Sequence, residues 1–424
     1  MLNDTAPDPL EQEGIAPSDH PYAVLKNANY LRYLLGRFIA SIGGQMLAVA
    51  VGWELYEKTG SALKLGYVGL TQMIPMIGLT LLAGHVADNY SRKLVFFVSE
   101  VIIALSCLGL AAASYLHWPL AYTYLFLFTA GSARTFLWPA SSSLLPAIVP
   151  RKYFAQAVTW NSSSFQLSSV AGPALGGLLI ALTKKPSVVY VLGFVTAITC
   201  GLLVASLSVV EREIVKEKLS MKSLLSGFSF VFKTRLLLGT ITLDLFAVLL
   251  GGATTLLPAF AKDVLGVGPG GLGWLQGALP LGSFCMALFM AHRKPMQKAG
   301  RALFIAVGVF GLATIGFGFS KTFLLSFICL AVCGAADNIS IVVRHTLVQL
   351  LTPDDKRGRV SAVNSLFIGT SNELGGFESG LVAEYFGLAT AVVAGGIGTI
   401  LVAIVIAGVW PEVRKYGSLT SDSK

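Results

Sequence analysis

Apolar residues in this chain fall in blocks of about twenty, separated by short polar turns. A water-facing helix or strand would break such blocks with a polar stripe. A helix crosses a bilayer with roughly 20 apolar residues. Twelve blocks reach that length, at about 30–55, 63–85, 94–115, 119–145, 155–182, 187–210, 236–261, 271–291, 302–320, 322–350, 359–383 and 388–411. The pattern predicts an all-α integral membrane protein with 12 transmembrane helices. The first block follows a polar, acidic tail (Asp4, Asp8, Glu11, Glu13, Asp19), too far in and too long for a cleaved signal peptide.

Composition narrows the class. Of 424 residues, 54% are hydrophobic and 12% charged. A soluble domain carries about 25% charged residues, so a soluble globular enzyme and a disordered chain are both excluded. The five cysteines (Cys107, Cys200, Cys285, Cys329, Cys333) all lie in apolar blocks, against a disulfide framework. Cys329 and Cys333 stand one helical turn apart, but no His or further Cys completes a metal set, so no metal and no cofactor is expected.

The net charge of +9 follows from topology rather than from nucleic-acid binding. With the N-terminus placed in the cytoplasm, 22 Lys and Arg fall on that side, 6 on the other, and Arg37, Arg134 and Arg344 inside blocks. The positive-inside bias puts both termini in the cytoplasm of a cell inner membrane.

The chain also repeats itself. Residues 131–177 align without gaps on 334–380 at an offset of 203, and Leu35-Gly36 aligns on Leu238-Gly239 at the same offset. An even number of spans separates the copies, so the two units share one orientation. Parallel repeats of this kind build transporters with a central site. The expected organisation is a cytoplasmic tail (1–28), an N-terminal six-helix half (29–210), a charged cytoplasmic linker (211–235), a C-terminal six-helix half (236–412) and a second cytoplasmic tail (413–424).

Between spans 2 and 3 the chain reads Gly84-His-Val-Ala-Asp88-Asn-Tyr-Ser-Arg92-Lys93. Gly84 would let two helices approach, Asp88 would accept from a helix N-terminus, and Arg92 and Lys93 would meet that carboxylate or lipid phosphates. The corresponding loop of the second half, His292-Arg293-Lys294-Pro295, lacks the Asp. The G-x-x-x-D-x-x-x-R-K spacing resembles the loop 2–3 signature of the major facilitator superfamily. The resemblance implies two parallel six-helix halves and a latch between conformations. Span 5 carries Gly172-Pro173-Ala-Leu-Gly176-Gly177, similar to the G-x-x-x-G-P-x-x-G-G signature of proton-coupled exporters in that superfamily, with Ser168 in place of the first Gly. Residues 53–69 and 363–382 resemble the branch that contains bacterial enterobactin exporters and macrolide-efflux proteins. Arg134 follows Gly131 rather than preceding a Gly, so the role of the span 4 Arg of many drug antiporters does not carry over.

Charge inside a bilayer costs about 2.5–3.5 kcal/mol on insertion scales, so each such residue is a functional candidate. In the fold that the resemblance implies, spans 1, 4, 7 and 10 line the cavity. They hold Arg37, Arg134, Asp244 and Asp337. At the 203 offset Arg134 corresponds to Asp337, and Asp244 to Ser41, one turn past Arg37. Two readings stand: Arg37–Asp244 and Arg134–Asp337 attract across the halves when the cytoplasmic side is closed, or each charge is satisfied within its own half. A carboxyl buried in apolar surroundings can carry a proton at neutral pH, which makes Glu373 a candidate for coupling; packing is the alternative. Glu100 is expected to partner Arg92 or water. Arg344 and His345 would attract an anionic substrate or simply express the positive-inside bias. Phe136, Trp138 and Trp160 are candidates for stacking on an aromatic cargo. Asn161 and Asn364, counterparts in the repeat, are expected to cap or bridge helices.

The expected function is secondary active export of a small molecule, siderophore-like or drug-like, by alternating access. Proton exchange would drive it, and the expected partners are the cargo, a proton and the lipid bilayer, with the protein a monomer. Uptake or facilitated diffusion on the same fold is the alternative, and a non-transporting receptor or assembly protein the alternative from another class. No G-x-S-x-G, paired-His or P-loop motif appears, so no enzyme activity is expected.

Overall fold

The computed structural model describes residues 22–209, 228–293, 296–353 and 356–417 and is nearly all helical. Its long helices are α1 (Ala28–Thr59), α2 (Ala62–Asn89), α3 (Arg92–Tyr115), α4 (Leu120–Ile148), α5 (Phe154–Thr183), α6 (Pro186–Ala205), α7 (Arg235–Leu250), α8 (Gly268–Ala291), α9 (Ala299–Phe319), α10 (Phe323–Leu351), α11 (Arg357–Phe386) and α12 (Leu388–Val409). Among the described residues, ten helical segments are long and apolar enough to cross a membrane; α4 and α11 are not among them. These two carry Arg134 and Glu373, respectively. The first part of the linker, up to residue 227, lies outside the described residues, as do Lys294 and Pro295 and the outer parts of both tails.

Local chemistry sets the turns. The Tyr30 amide donates to Asn27 Oδ1 at the start of α1, and Gly60 ends it with φ 61°, a left-handed conformation that glycine adopts without Cβ strain. Ser61 and Ser91 cap α2 and α3 in the same way, accepting from Lys64 N and Leu94 N. A continuous helix over 236–261 is expected from the hydropathy. It instead breaks after Leu250, passes through a 3-10 turn (Ala253–Leu256), and ends in a π turn (Phe260–Val264). Gly251-Gly252 weakens the helix there, and Pro258 lacks the amide that would continue it.

Within α1–α6, α1 packs on α5 and α6, α3 on α4 and α6, and α2 on α4. Within α7–α12 the same partners recur: α7 on α11 and α12, α9 on α10 and α12, α8 on α10. The 203 offset has a direct structural counterpart. Gly172 lies against Ile42 and Gln45 of α1, and Gly375 lies against Val248 and Leu249 of α7. Outward-facing positions such as Leu105, Ile305, Leu401 and Ile404 are exposed and apolar, as lipid contact requires.

The two groups meet along two seams, α2 on α11 and α5 on α8. Residues 22 and 417 lie at one end of the bundle, here the terminal face; the turns at 60–61, 184–185 and 387 lie at the other, the far face. Close backbone-to-backbone approaches across the seams lie in the halves of the helices toward the far face, and near mid-helix the Met76 side chain of α2 reaches Gly369 of α11. Gly177 faces the Pro269 carbonyl and Gly273 Cα, and Gly380 faces the Ala62 carbonyl and Gly66 Cα. A side chain at any of these glycines would push the seams apart, since lipid supplies no hydrophobic drive and close backbone packing must hold the helices together.

Candidate transport cavity

On α1, Tyr33, Arg37, Ser41, Gln45 and Ala48 recur every three or four residues and therefore form one stripe. On α4, Arg134, Trp138 and Ser142 do the same. Together with α3, α5 and α6 these stripes enclose a cavity of about 580 Å³, confined to the first helix group. It runs from Leu145 and Asn161, near the terminal face, to Ala48 and Gly193 at mid-helix. Its wall holds two guanidinium groups (Arg37, Arg134), one buried carboxyl (Glu100), and the aromatic rings of Phe38, Trp138 and Phe165.

Several of its polar groups have definite partners. The Tyr33 hydroxyl and Ser141 Oγ are 2.8 Å apart, and Gln45 Nε2 donates to Ser169 Oγ at 3.3 Å. Arg134 donates to Gln72 Oε1 of α2 at 3.0 Å. Glu100 is only 2% exposed. Arg37 and Arg134 share the cavity lining with it. Of the two partners expected for Glu100, Arg92 or water, Arg92 is therefore corrected. Glu100 faces inward at the cavity wall, while Arg92 turns to the Ser143 carbonyl of α4 at 3.1 Å.

The second group is built otherwise. Asp244 and Arg344, 7% and 3% exposed, form an ion pair between α7 and α10. Asp337 lies beside them, in a pocket of only about 20 Å³. In this conformation, then, Asp244 pairs within its own group and not with Arg37, and Arg134 bonds Gln72 and not Asp337. Arg344 is thus neither solvated nor free for an anion; it neutralises Asp244.

The loop 2–3 residues are spread along the terminal face. A Cβ at Gly84 would meet nothing within 4 Å, so this glycine receives no neighbouring helix in this conformation. Lys93 donates to the Leu207 carbonyl at 2.8 Å, so Arg92 and Lys93 fasten the start of α3 to α4 and to the chain after α6. The Asp88 side chain lies outside the described residues. The span 5 motif divides its work: Gly172 and Gly176 receive α1, whereas Gly177 and the Pro173 carbonyl abut α8. Of the three stacking candidates, Trp138 lines the cavity. Phe136, two residues back and so on another side of the helix, packs against the core. Trp160 stands 5.7 Å from the ring of Tyr22 at the terminal face. The Asn161 and Asn364 amide oxygens, expected to cap or bridge, are buried without a hydrogen-bond partner.

Residues not singled out from the sequence close the far face. Tyr56 of α1 donates to Asp263. Glu384 of α11 accepts from Ser61 Oγ at 2.9 Å and from Leu63 N at 3.1 Å, so it caps the N-terminus of α2 from the opposite group.

The family model MFS_3, described as transmembrane secretion effector, matches residues 20–423. The chain belongs to this family. It is 29% identical over 397 residues to the enterobactin exporter EntS of Shigella flexneri, a match that covers 90% of this chain and 92% of that one. The EntS of Shigella boydii serotype 18 is 27% identical over 391 residues. Among solved structures, a bacterial homologue of the human lysosomal transporter Spinster, in an inward-facing and occupied conformation, superposes with a TM-score of 0.72 at 14% identity, over 94% of this chain and 98% of that one. The nucleoside transporter NupG gives 0.71 at 15% identity, over 92% and 99%. The protein is a multi-pass membrane transporter of the major facilitator type, and its relatives are transporters rather than enzymes.

Proposed function

We propose that this protein is a secondary active exporter of the inner membrane. It takes a small siderophore-like or drug-like molecule from the cytoplasm and releases it on the far side by alternating access. In this reading the helices form twelve crossings in two parallel six-helix halves, the terminal face is cytoplasmic, and the protein acts as a monomer coupled to proton exchange.

One observation carries the reading: a cavity of about 580 Å³ reaches toward the terminal face while the seams between the halves are shut at the far face. That is the geometry of a carrier waiting for cargo from inside. The guanidinium groups and rings of its wall suit a partly apolar cargo with aromatic and anionic parts. The resemblance to EntS proteins over 90% of the chain supports a siderophore-like cargo.

In the opposite conformation, with the terminal face shut, the counterpart residues Arg134 and Asp337 would pair across the halves, and Arg37 would compete with Arg344 for Asp244. A charge swap (Arg134→Asp with Asp337→Arg) should then recover transport lost in each single variant; no recovery in folded protein would remove that pairing.

Counterflow in proteoliposomes tests the function, with a catecholate siderophore and a macrolide as cargoes, with and without a pH difference. Gradient-dependent movement of one cargo out of the face that carries the termini is the expected result. Movement that ignores the gradient would contradict proton coupling. Movement only in the opposite sense would contradict export.

A further inference from the structure

The α2–α11 seam carries its own polar contact at the level of the cavity. Glu373 of α11 lies on Gly69 of α2; a methyl group placed on Gly69 would stand 3.0 Å from Glu373 Oε2. One turn further along α2 is Gln72, whose side-chain oxygen takes the hydrogen bond from Arg134. Arg134 reaches this point from α4 and is exposed to the cavity, so its guanidinium and the Glu373 carboxyl bear on neighbouring turns of the same helix, α2, at Gln72 and Gly69. A single guanidinium thus stands between cargo space and a seam where, one turn along α2, a carboxyl of the other helix group is seated.

We propose that Arg134 is the residue through which cargo opens the far face: an anionic group of the cargo takes over the guanidinium, Glu373 loses its attraction, and the α2–α11 seam releases. The inference rests on the transport reading for its cargo, but the switch itself is a property of the chain. It explains why a permanent cation stands beside a seam that must open and close. It also gives the order of events that export requires, since the far face stays shut while the cavity is empty and loosens when the cavity is loaded. The cargo class it selects carries at least one anionic oxygen group. A guanidinium bound by such a group in a site of low dielectric has little attraction left for a second carboxylate.

The test reads the seam directly. In a background with the five native cysteines replaced, spin labels at Lys64→Cys and Tyr385→Cys report the separation of the far-face ends of α2 and α11 by double electron–electron resonance. The parent should give one short distance. Glu373→Gln and Arg134→Gln should each add a longer population, and the double variant should add no more than either single one. Arg134→Lys keeps the charge and should restore the parent distance. Gln72→Glu supplies a tethered carboxylate beside Arg134 in place of cargo and should also add the longer population.

Parent-like distances in both Arg134→Gln and Glu373→Gln, in protein that elutes as a folded species, would overturn the proposal. So would Arg134→Lys behaving like Arg134→Gln, because charge would then not be what Glu373 reads. None of these readings depends on transport. A failure of counterflow with intact distance shifts would strike the export reading alone, and the reverse would strike this switch alone.

Discussion

The two helix groups share one packing scheme and differ in what they do with it. Where α7–α12 place Asp244 and Arg344, the 203 offset puts Ser41 and Ser141 in α1–α6. In the second group that position is an ion pair, and the space beside it holds only about 20 Å³. In the first group Ser141 meets Tyr33, and a cavity of about 580 Å³ opens next to it. Replacing a charge pair by two hydroxyls removes the force that would draw α1 and α4 together. A duplicated scaffold can thus stay symmetric in its backbone packing while one copy closes into a wall around an ion pair and the other keeps a cavity at the matching position.

The largest expected effect comes from breaking the wall. Asp244→Ala leaves Arg344 buried without its counter-ion and should cost about 3–5 kcal/mol, read as a lower thermal midpoint in detergent. Ser41→Ala, at the matching position of the first group, should stay within about 0.5 kcal/mol. Equal losses at the two positions would break the comparison.

Next comes the α5–α8 seam. Gly177→Leu forces a side chain onto the α8 backbone at Pro269 and Gly273. It should cost about 1–3 kcal/mol of the far-face-closed state, read as increased labelling of far-face cysteines. Gly84→Ala, in the terminal half of α2 where a Cβ meets nothing, should leave that state unchanged.

A smaller effect is expected where single hydrogen bonds close the far face. Tyr56→Phe and Glu384→Gln should each weaken closure by about 0.5–1.5 kcal/mol in the same labelling assay. Their combination should be roughly additive, because they grip different ends of the α1–α2 turn. An effect of the same small size, on cargo rather than on closure, is expected of Trp138→Ala. It should weaken binding of an aromatic cargo by about 0.5–1.5 kcal/mol in a fluorescence titration, and leave stability alone.

Much of this architecture was legible in the hydropathy blocks and in the internal repeat, because the bilayer dictates helix length and the repeat dictates partners. The break in α7 was not, since Gly251, Gly252 and Pro258 are ordinary in membrane helices until a neighbouring backbone, here Gly375 against Gly252, makes the bend favourable. Site chemistry was legible as a set of charges but not as pairs. Asp244 and Arg344 stand 100 residues apart, and nothing in spacing distinguishes Arg344 from Arg37 as its partner. Glu100 looked like a terminal-face residue because it lies early in α3; its burial follows from the inward turn of that helix face against α6. The far-face contacts of Tyr56, Asp263, Ser61 and Glu384 look individually like residues at the rims of loops. Only the seam brings them together.

The claim on which the account turns is that the cavity of the first group receives cargo from the terminal face. A cysteine at Ser142, exposed on the cavity wall, tests it in otherwise cysteine-free protein, labelled with an impermeant maleimide in inside-out and in right-side-out vesicles. Fast labelling from the cytoplasmic surface, slow labelling from outside, and protection by whichever cargo is moved in counterflow are expected. Fast labelling from outside alone, or labelling that a transported cargo leaves untouched, would contradict it.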